Sequence, residues 1–306
     1  MKKLVVIGSS NVDTVIRVPH IPAPGETLLS KSLDLCYGGK GANQAAAIAR
    51  LGGDITMIAC VGEDAFGQSM CANLAGYGVK MDGVVQMAGA QSGAAYIYVS
   101  DEGENNIVVH PGANSLLSPE VVARQAHLLE GASYCIIQLE IPLDTLYFVA
   151  QLCREKGIRL ILNPAPAAPL DYACLQDTWM IAPNEGELDL LIPGEGDVAT
   201  KAKALRQKGF EHVLVTLGAQ GCLLVDGLGV QRFPAGPVAK VVDTTAAGDS
   251  FIGALAFGLS SGFSLECSIG FANRSAAITV SRAGAQPSLP TLAEVQAALA
   301  SKNPLH

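Results

Sequence analysis

Apolar and polar positions follow two distinct rhythms along this chain, and their order of appearance predicts an architecture. Short, nearly uninterrupted apolar runs at residues 4–7, 56–61, 134–138, 159–162, 180–182 and 213–217 read as buried strands. Between them, residues 41–51, 67–77, 119–128, 143–156 and 198–208 carry the spacing of mostly amphipathic helices. Strands that are apolar on both sides need cover on both faces, and strand–helix alternation makes neighbouring strands parallel. The expected fold is a three-layer α/β/α sandwich around a mostly parallel sheet. Ligands in such folds bind beyond the carboxyl ends of the strands.

Two regions break this rhythm. Residues 12–18 with 27–35, and 94–99 with 106–110, alternate like hairpin strands and predict a small antiparallel sheet acting as a lid. That lid, drawn from about residues 12–36 and 93–110, would expose Ile97, Val99 and Val108 unless it closed on substrate or on a second subunit. The last third, residues 243–260, 265–282 and 291–300, is helical in pattern. No Pro/Ser-rich linker or charge block divides the chain, so a single α/β domain over 1–306 is expected.

Composition narrows the function classes. With 306 residues, 49% hydrophobic and 16% charged, the chain can bury a large core and is neither disordered nor a coiled coil. A net charge of −8 disfavours nucleic acid and anionic membranes as partners. An anionic ligand would need local N–H groups, a few cations and a metal. No apolar stretch approaches the ~18 residues of a membrane span, and Asp13 interrupts the first apolar run before signal length. The eight cysteines form no C-x-x-C pair, which favours free thiols in a reducing cytoplasm over zinc or disulfides.

The segment Val242-Asp243-Thr244-Thr245-Ala246-Ala247-Gly248-Asp249-Ser250-Phe251 carries the most chemistry. Small residues run straight into an apolar helix, whose first turn leaves about four N–H groups unpaired and partly positive. Ala246, Ala247 and Gly248 would let an anion reach those donors. Asp249 beside them could take a proton from an attacking hydroxyl. On these residues alone, an ordinary N-capped helix fits equally well.

Other segments carry weaker signals. In Gly38-Gly39-Lys40-Gly41-Ala42-Asn43-Gln44, glycines let backbone approach a ligand while Lys40 and Asn43 offer hydrogen bonds, or the stretch is a flexible turn. Asn11 and Asp13 fall on one face of an extended chain and suit the hydroxyls of a polyol, or cap a turn. Glu187, in Asn184-Glu185-Gly186-Glu187, could hold Mg²⁺ through water or simply enrich a helix N-terminus in acid; Glu140 poses the same choice. Thr216 through Gly221 ends a strand in a glycine turn where a nucleotide could lie, or forms a hairpin. The loop 282–288 is rich in backbone carbonyls suited to an alkali cation, or is a plain connector. Neither the P-loop, nor G-x-G-x-x-G after the first strand, nor a G-x-S-x-G elbow occurs.

Taken together, the glycine-rich stretch 38–44, the stretch 243–249 and Asn184-x-x-Glu187 between them resemble the ribokinase, or PfkB, family of carbohydrate kinases, from Gly8 to Ser288. The resemblance implies an α/β sandwich with a β-sheet lid and a homodimer formed through the lids. It implies Asp249 as catalytic base, and Ala246, Ala247 and Gly248 as the anion hole around the transferred phosphoryl. Asn11, Asp13, Gly39, Lys40, Asn43 and Glu140 match sugar contacts. Asn184 with Glu187 matches a Mg²⁺/phosphate motif; Thr216, Gly218, Gly221 and Asn273 match the ATP-binding region. Asp243, Thr245, Thr279, Arg282, Gly284 and Ser288 match the loops that hold an activating K⁺. Within the family the motifs imply phosphorylation of D-ribose at its 5-hydroxyl. Deoxyribose kinases tend to carry an apolar residue where Asn11 stands, and a buried unpaired amide there would penalise a sugar lacking the 2-hydroxyl. Alternatives are 2-deoxyribose, a ketohexose or a nucleoside as acceptor, or a sugar or nucleotide sensor without transfer.

Overall fold

The computed structural model describes residues 2–300. Met1 and residues 301–306, which the expected domain includes, lie outside the described residues. Among the described residues the strands are β1 (Lys3–Ile7), β2 (Asn11–Arg17), β3 (Ser32–Gly38), β4 (Ile55–Gly62), β5 (Lys80–Met87), β6 (Gly93–Val99), β7 (Asn105–His110), β8 (Ala132–Ile137), β9 (Arg159–Leu162), β10 (Thr178–Ile181), β11 (Phe210–Thr216), β12 (Cys222–Asp226) and β13 (Gly229–Phe233). The helices are α1 (Lys40–Arg50), α2 (Ala65–Tyr77), α3 (Pro119–Arg124), α4 (Leu143–Lys156), α5 (Glu185–Leu191), α6 (Val198–Arg206), α7 (Ala247–Ser260), α8 (Leu265–Thr279) and α9 (Leu292–Ala300).

Nine strands form one sheet in the order β13-β12-β11-β10-β9-β8-β1-β4-β5. All pairs from β11 through β5 are parallel, and β12 and β13 add an antiparallel edge. Strand alternation builds the three layers. Leu4 and Val6 pack with α1, α7, α8 and α9, while Val5 and Ile7 pack with α3, α4, α5 and α6. All four side chains are fully buried, which explains why the run shows no polar alternation. The carboxyl ends of β1, β8, β9, β10 and β11 deliver Asn11, Glu140, Asn163, Asn184 and Gly218 to the same edge of the sheet.

The second sheet has the order β3-β2-β6-β7. It is not wholly antiparallel as expected: β2 and β6 pair in parallel, flanked by antiparallel β3 and β7. The outer strand also sits later than expected, at Ser32–Gly38, so Thr27 precedes it. Leu35 and Tyr96 flank Thr14 in register, and Val108 pairs with Tyr96, which places these side chains on one face. Asn11 and Asp13 lie on the opposite face.

Three helix boundaries differ from the sequence pattern by three residues or more. The helix expected over 119–128 stops at Arg124, because Gln125 leaves helical geometry and bonds back to Val122, and Ala126–Leu129 continues as a 3-10 turn. The helix expected from 243 starts at Ala247, since the Asp243 carboxylate ties down Thr245 in a turn. The helix expected to 282 ends at Thr279 in tight turns from Ser281 and Arg282. Residues 216–221 form the hairpin loop between β11 and β12. No helix among the described residues is long and apolar enough to cross a membrane, and all eight cysteines are free thiols.

Candidate active site

Asp249 lies in the first turn of α7 and is only 7% exposed. Its Oδ2 accepts a hydrogen bond from Asn43 Nδ2 at 2.9 Å and its Oδ1 one from Gln44 Nε2 at 3.0 Å. Both donors come from the first turns of α1, whose alanines pack against α7. Burial raises the carboxyl's pKa; the Lys40 charge and the two amide hydrogen bonds oppose that rise, and Glu140 adds to it. The result is a carboxylate with enhanced basicity but fixed orientation, as a general base requires.

The α7 N-terminus is shaped by Ala246, which adopts a left-handed conformation (φ 58, ψ 11). Such a conformation costs a residue with a side chain on the order of 1–2 kcal/mol. The Ala247 N–H bonds to Thr244 O at 3.2 Å, whereas the Gly248 and Asp249 N–H groups meet no acceptor among the described residues. A Cβ on Gly248 would project into open space. Lys40, Asn184, Glu187, Thr216, Ala246, Ala247, Gly248 and Asp249 line one cleft of about 210 Å³. A positive helix end with unpaired donors and a lysine at its rim can hold an anion.

Beside it, Thr216, Gly218, Gly221, Gly248 and Asn273 line a second cavity of about 670 Å³, walled by Pro237, Val238, Phe251, Ala276 and Ala277. The two cavities share Thr216, Thr244, Ala247 and Gly248. A largely apolar chamber opening onto an anion-holding helix end has the chemistry of a nucleotide site. Asn184 caps α5 by accepting from Glu187 N–H at 2.8 Å, and Glu187 Oε2 accepts from Asn184 N–H at 2.8 Å. Burial raises the Glu187 pKa, opposed by that backbone hydrogen bond and by Lys40, while Asp249 adds to the rise.

On the lid side, Glu140 Oε2 accepts from Lys40 N–H at 2.9 Å and from Ser9 Oγ at 2.5 Å, binding the glycine-rich turn to the end of β8. Gly39 has φ 87, and a Cβ there would lie 2.8 Å from Ser10 Cα, so only glycine fits. Asp13 is pushed up to about 6, mainly by burial and further by the charge of Glu140.

The candidate cation residues do not all converge through their side chains. Asp243 accepts from Thr245 through both N–H and Oγ1, and from Gly284 N–H at 2.9 Å, which joins the two loops. Burial works against the Asp243 charge, but these hydrogen bonds outweigh it and hold the carboxyl below its ordinary range. The Thr279 hydroxyl instead bonds Ser250 and Ser275, Arg282 pairs with Glu294 at 2.6 Å, and Ser288 Oγ donates to Ala285 O at 2.6 Å. Those three side chains are engaged elsewhere, so at these positions only backbone oxygens are left for a cation.

Sequence reasoning assigned no role to five residues that hold the site. Gln44 is fully buried and also donates to Asn163 Oδ1 while accepting from Gln138. Gln286 donates to Asn43 Oδ1 at 3.3 Å, and Asn114 to Asn11 Oδ1 at 2.7 Å. A polar amide within the alanine-rich helix was the available signal for Gln44; the contacts of Asn114 and Gln286 span 103 and 243 residues.

The geometry has close parallels among known proteins. A ribokinase of Haemophilus influenzae is 40% identical over 298 residues, covering 96% of this chain and 97% of the relative. A deoxyribokinase of Salmonella typhimurium is 35% identical over 296 residues, covering 94% and 96%. The structure of Arabidopsis thaliana ribokinase complexed with ribose and ATP superposes with a TM-score of 0.92 at 32% identity, covering 97% of this chain and 98% of that one. The model of the pfkB family carbohydrate kinases matches residues 1–292. A chain with a carboxylate gripped at a helix mouth, a large chamber beside it and a second, smaller sheet thus belongs to the pfkB family of carbohydrate kinases.

Proposed function

We propose that this chain transfers the γ-phosphoryl group of ATP to the 5-hydroxyl of D-ribose, with Asp249 as the general base. The observation that carries the proposal is the placement of the Asp249 carboxylate, gripped by Asn43 and Gln44, beside the unpaired Gly248 and Asp249 amides. In the reaction the 5-hydroxyl loses its proton to Asp249 as its oxygen bonds to the γ-phosphorus. The bond from that phosphorus to the bridging oxygen breaks, and ADP leaves. The unpaired Gly248 and Asp249 N–H groups of the helix end, together with Lys40, stabilise the charge on the equatorial oxygens; of the expected anion-hole residues, Ala247 has its N–H held by Thr244 O and Ala246 shapes the turn. Asn11, Asp13, Gly39, Asn43 and Glu140 frame the sugar. Thr216, Gly218, Gly221 and Asn273 border the chamber for the nucleotide, with Asn184 at the phosphate end.

A divalent cation fits the donor set: Glu187 keeps Oε1 free in the cleft, and Mg²⁺ typically takes one or two carboxylates with waters and phosphates. Mg²⁺ bound there would neutralise phosphate charge. Asp243, charged and tied to Thr245 and Gly284, with the carbonyl-rich loop after Thr279, suits K⁺. The exposed outer lid face (Leu33, Leu35, Tyr96 and Val108) suits pairing with a second copy. Eight free thiols suit a reducing cytoplasm.

The decisive experiment is a panel of acceptors in a coupled ADP-release assay, run in potassium and again in sodium, for the wild type and Asp249→Asn. Ribose should be the preferred acceptor, potassium should raise the rate, and Asp249→Asn should lose most turnover with its fold intact. Full activity in that variant refutes the assigned base. Preference for 2-deoxyribose would move the assignment within the family, toward the deoxyribokinase relative.

A further inference from the structure

We infer that Asn114 fixes the hydrogen-bond polarity of Asn11 and so makes the sugar cleft demand an acceptor oxygen opposite that residue. The inference rests on the proposed contact between Asn11 and the sugar. Asn114 lies in the 3-10 turn Gly112–Leu116, directly after lid strand β7, and is 2% exposed. Its Oδ1 accepts from Ser10 N–H at 2.9 Å. A main-chain N–H can only donate, so the Asn114 amide has a single orientation, with its oxygen toward Ser10. Its Nδ2 then donates to Asn11 Oδ1 at 2.7 Å and to Ser10 O at 3.3 Å.

Asn11 is thereby oriented in turn. Its oxygen is committed to Asn114, and its Nδ2 faces away with no acceptor among the described residues, yet is not sealed from solvent. Gly93, opposite Asn11 in the β2–β6 register, leaves room for this pair; a Cβ there would collide with Asn11 Oδ1 and Asn114 Nδ2. Two residues along the same face of β2, Asp13 is an acceptor when ionised. This face of β2 therefore presents a fixed donor beside an acceptor, which matches a vicinal diol. A sugar lacking the hydroxyl at the donor leaves Asn11 Nδ2 unpaired, and Asn114 denies Asn11 the turn that would relieve the loss. Asn114 is a positioning residue: it touches Asn11, not the sugar.

The test measures kcat and KM for ribose and 2-deoxyribose in the wild type, Asn114→Ala, Asn114→Asp, Asn11→Ala and the double variant Asn11→Ala/Asn114→Ala. Asn114→Ala should raise the ribose KM by about tenfold, the scale of one lost buried hydrogen bond. Ribose kcat and the 2-deoxyribose constants should stay within about twofold, so the ratio of kcat/KM values falls. Asn114→Asp keeps the acceptor for Ser10 N–H but offers Asn11 an oxygen, which turns the Asn11 amide and lowers the same ratio; it decides the matter if the alanine variant does not fold. The double variant should discriminate no less than Asn11→Ala alone. Equal losses on both sugars, or an unchanged ratio in both Asn114 variants while Asn11→Ala abolishes discrimination, overturn the positioning role alone. An unchanged ratio in Asn11→Ala overturns the sugar contact itself.

Discussion

Gln44 donates to Asp249, the proposed base, from within a buried set of amides, since its Nε2 also serves Asn163 and its oxygen is held by Gln138 at 2.6 Å. Gln44→Met, similar in volume, removes one hydrogen bond that favours ionised Asp249. Turnover should fall at least about tenfold and the acid limb of kcat/KM should move to higher pH, because the base becomes harder to ionise. Unchanged rate and pH profile would count against a role in orienting the base. Asp13 makes a thermodynamic prediction. Its pKa rises on folding from 3.8 to about 6, so the folded state binds the proton more tightly. The resulting stabilisation is complete below pH 3.8 and is lost as pH rises through about 6, a difference of up to about 3 kcal/mol. Without sugar, Asp13→Asn should therefore gain stability over the wild type at pH 8 and little at pH 4, as urea denaturation at the two values would show. Much of the cleft was legible because its signals are local: Asp249 and Gly248 share one motif, Lys40 and Asn43 another. Asn114 and Gln286 act through partners far away in sequence, and an isolated amide in a loop announces nothing.

At the scale of elements, the approach of α1 to α7 decides whether Asn43 and Gln44 reach Asp249. Gly253 sits at that crossing, where a Cβ would lie 2.6 Å from Ala47 Cβ and 3.0 Å from Gln44 O. Gly253→Val should cost about 1–3 kcal/mol through overpacking. It should also lower kcat more than it raises the ribose KM, because spreading the helices misplaces the base; thermal denaturation and steady-state kinetics check both halves. The central strands were readable because burial on both faces leaves continuous apolar runs such as Leu4–Ile7. Strands β5, β12 and β13 were not recognised: at the two edges, β5 begins with an exposed lysine and contains Gly83, and β13 is largely exposed. The start of α7 was misplaced by four residues because side-chain hydrogen bonds from Asp243, rather than periodicity, set its boundary.

For the whole molecule, the lid sheet leaves Leu33 at 58%, Leu35 at 57% and Val108 at 57% exposure on its outer side. Leu35→Asp should convert a wild-type dimer into monomers in sedimentation velocity runs, with the fold retained by circular dichroism. A wild type that sediments as a monomer would remove the basis for pairing through this face. The meeting of α1 with α7 has a wider consequence. Groups proposed to frame the acceptor, from Asn11 to Glu140, precede Asn184, where, Lys40 apart, the groups proposed to handle the phosphate donor begin, and the two sets meet through Asn43, Gln44 and Asp249. New acceptors can accordingly evolve by rewriting the first half of the chain while the transfer machinery stays untouched, provided the helical handshake at the base survives.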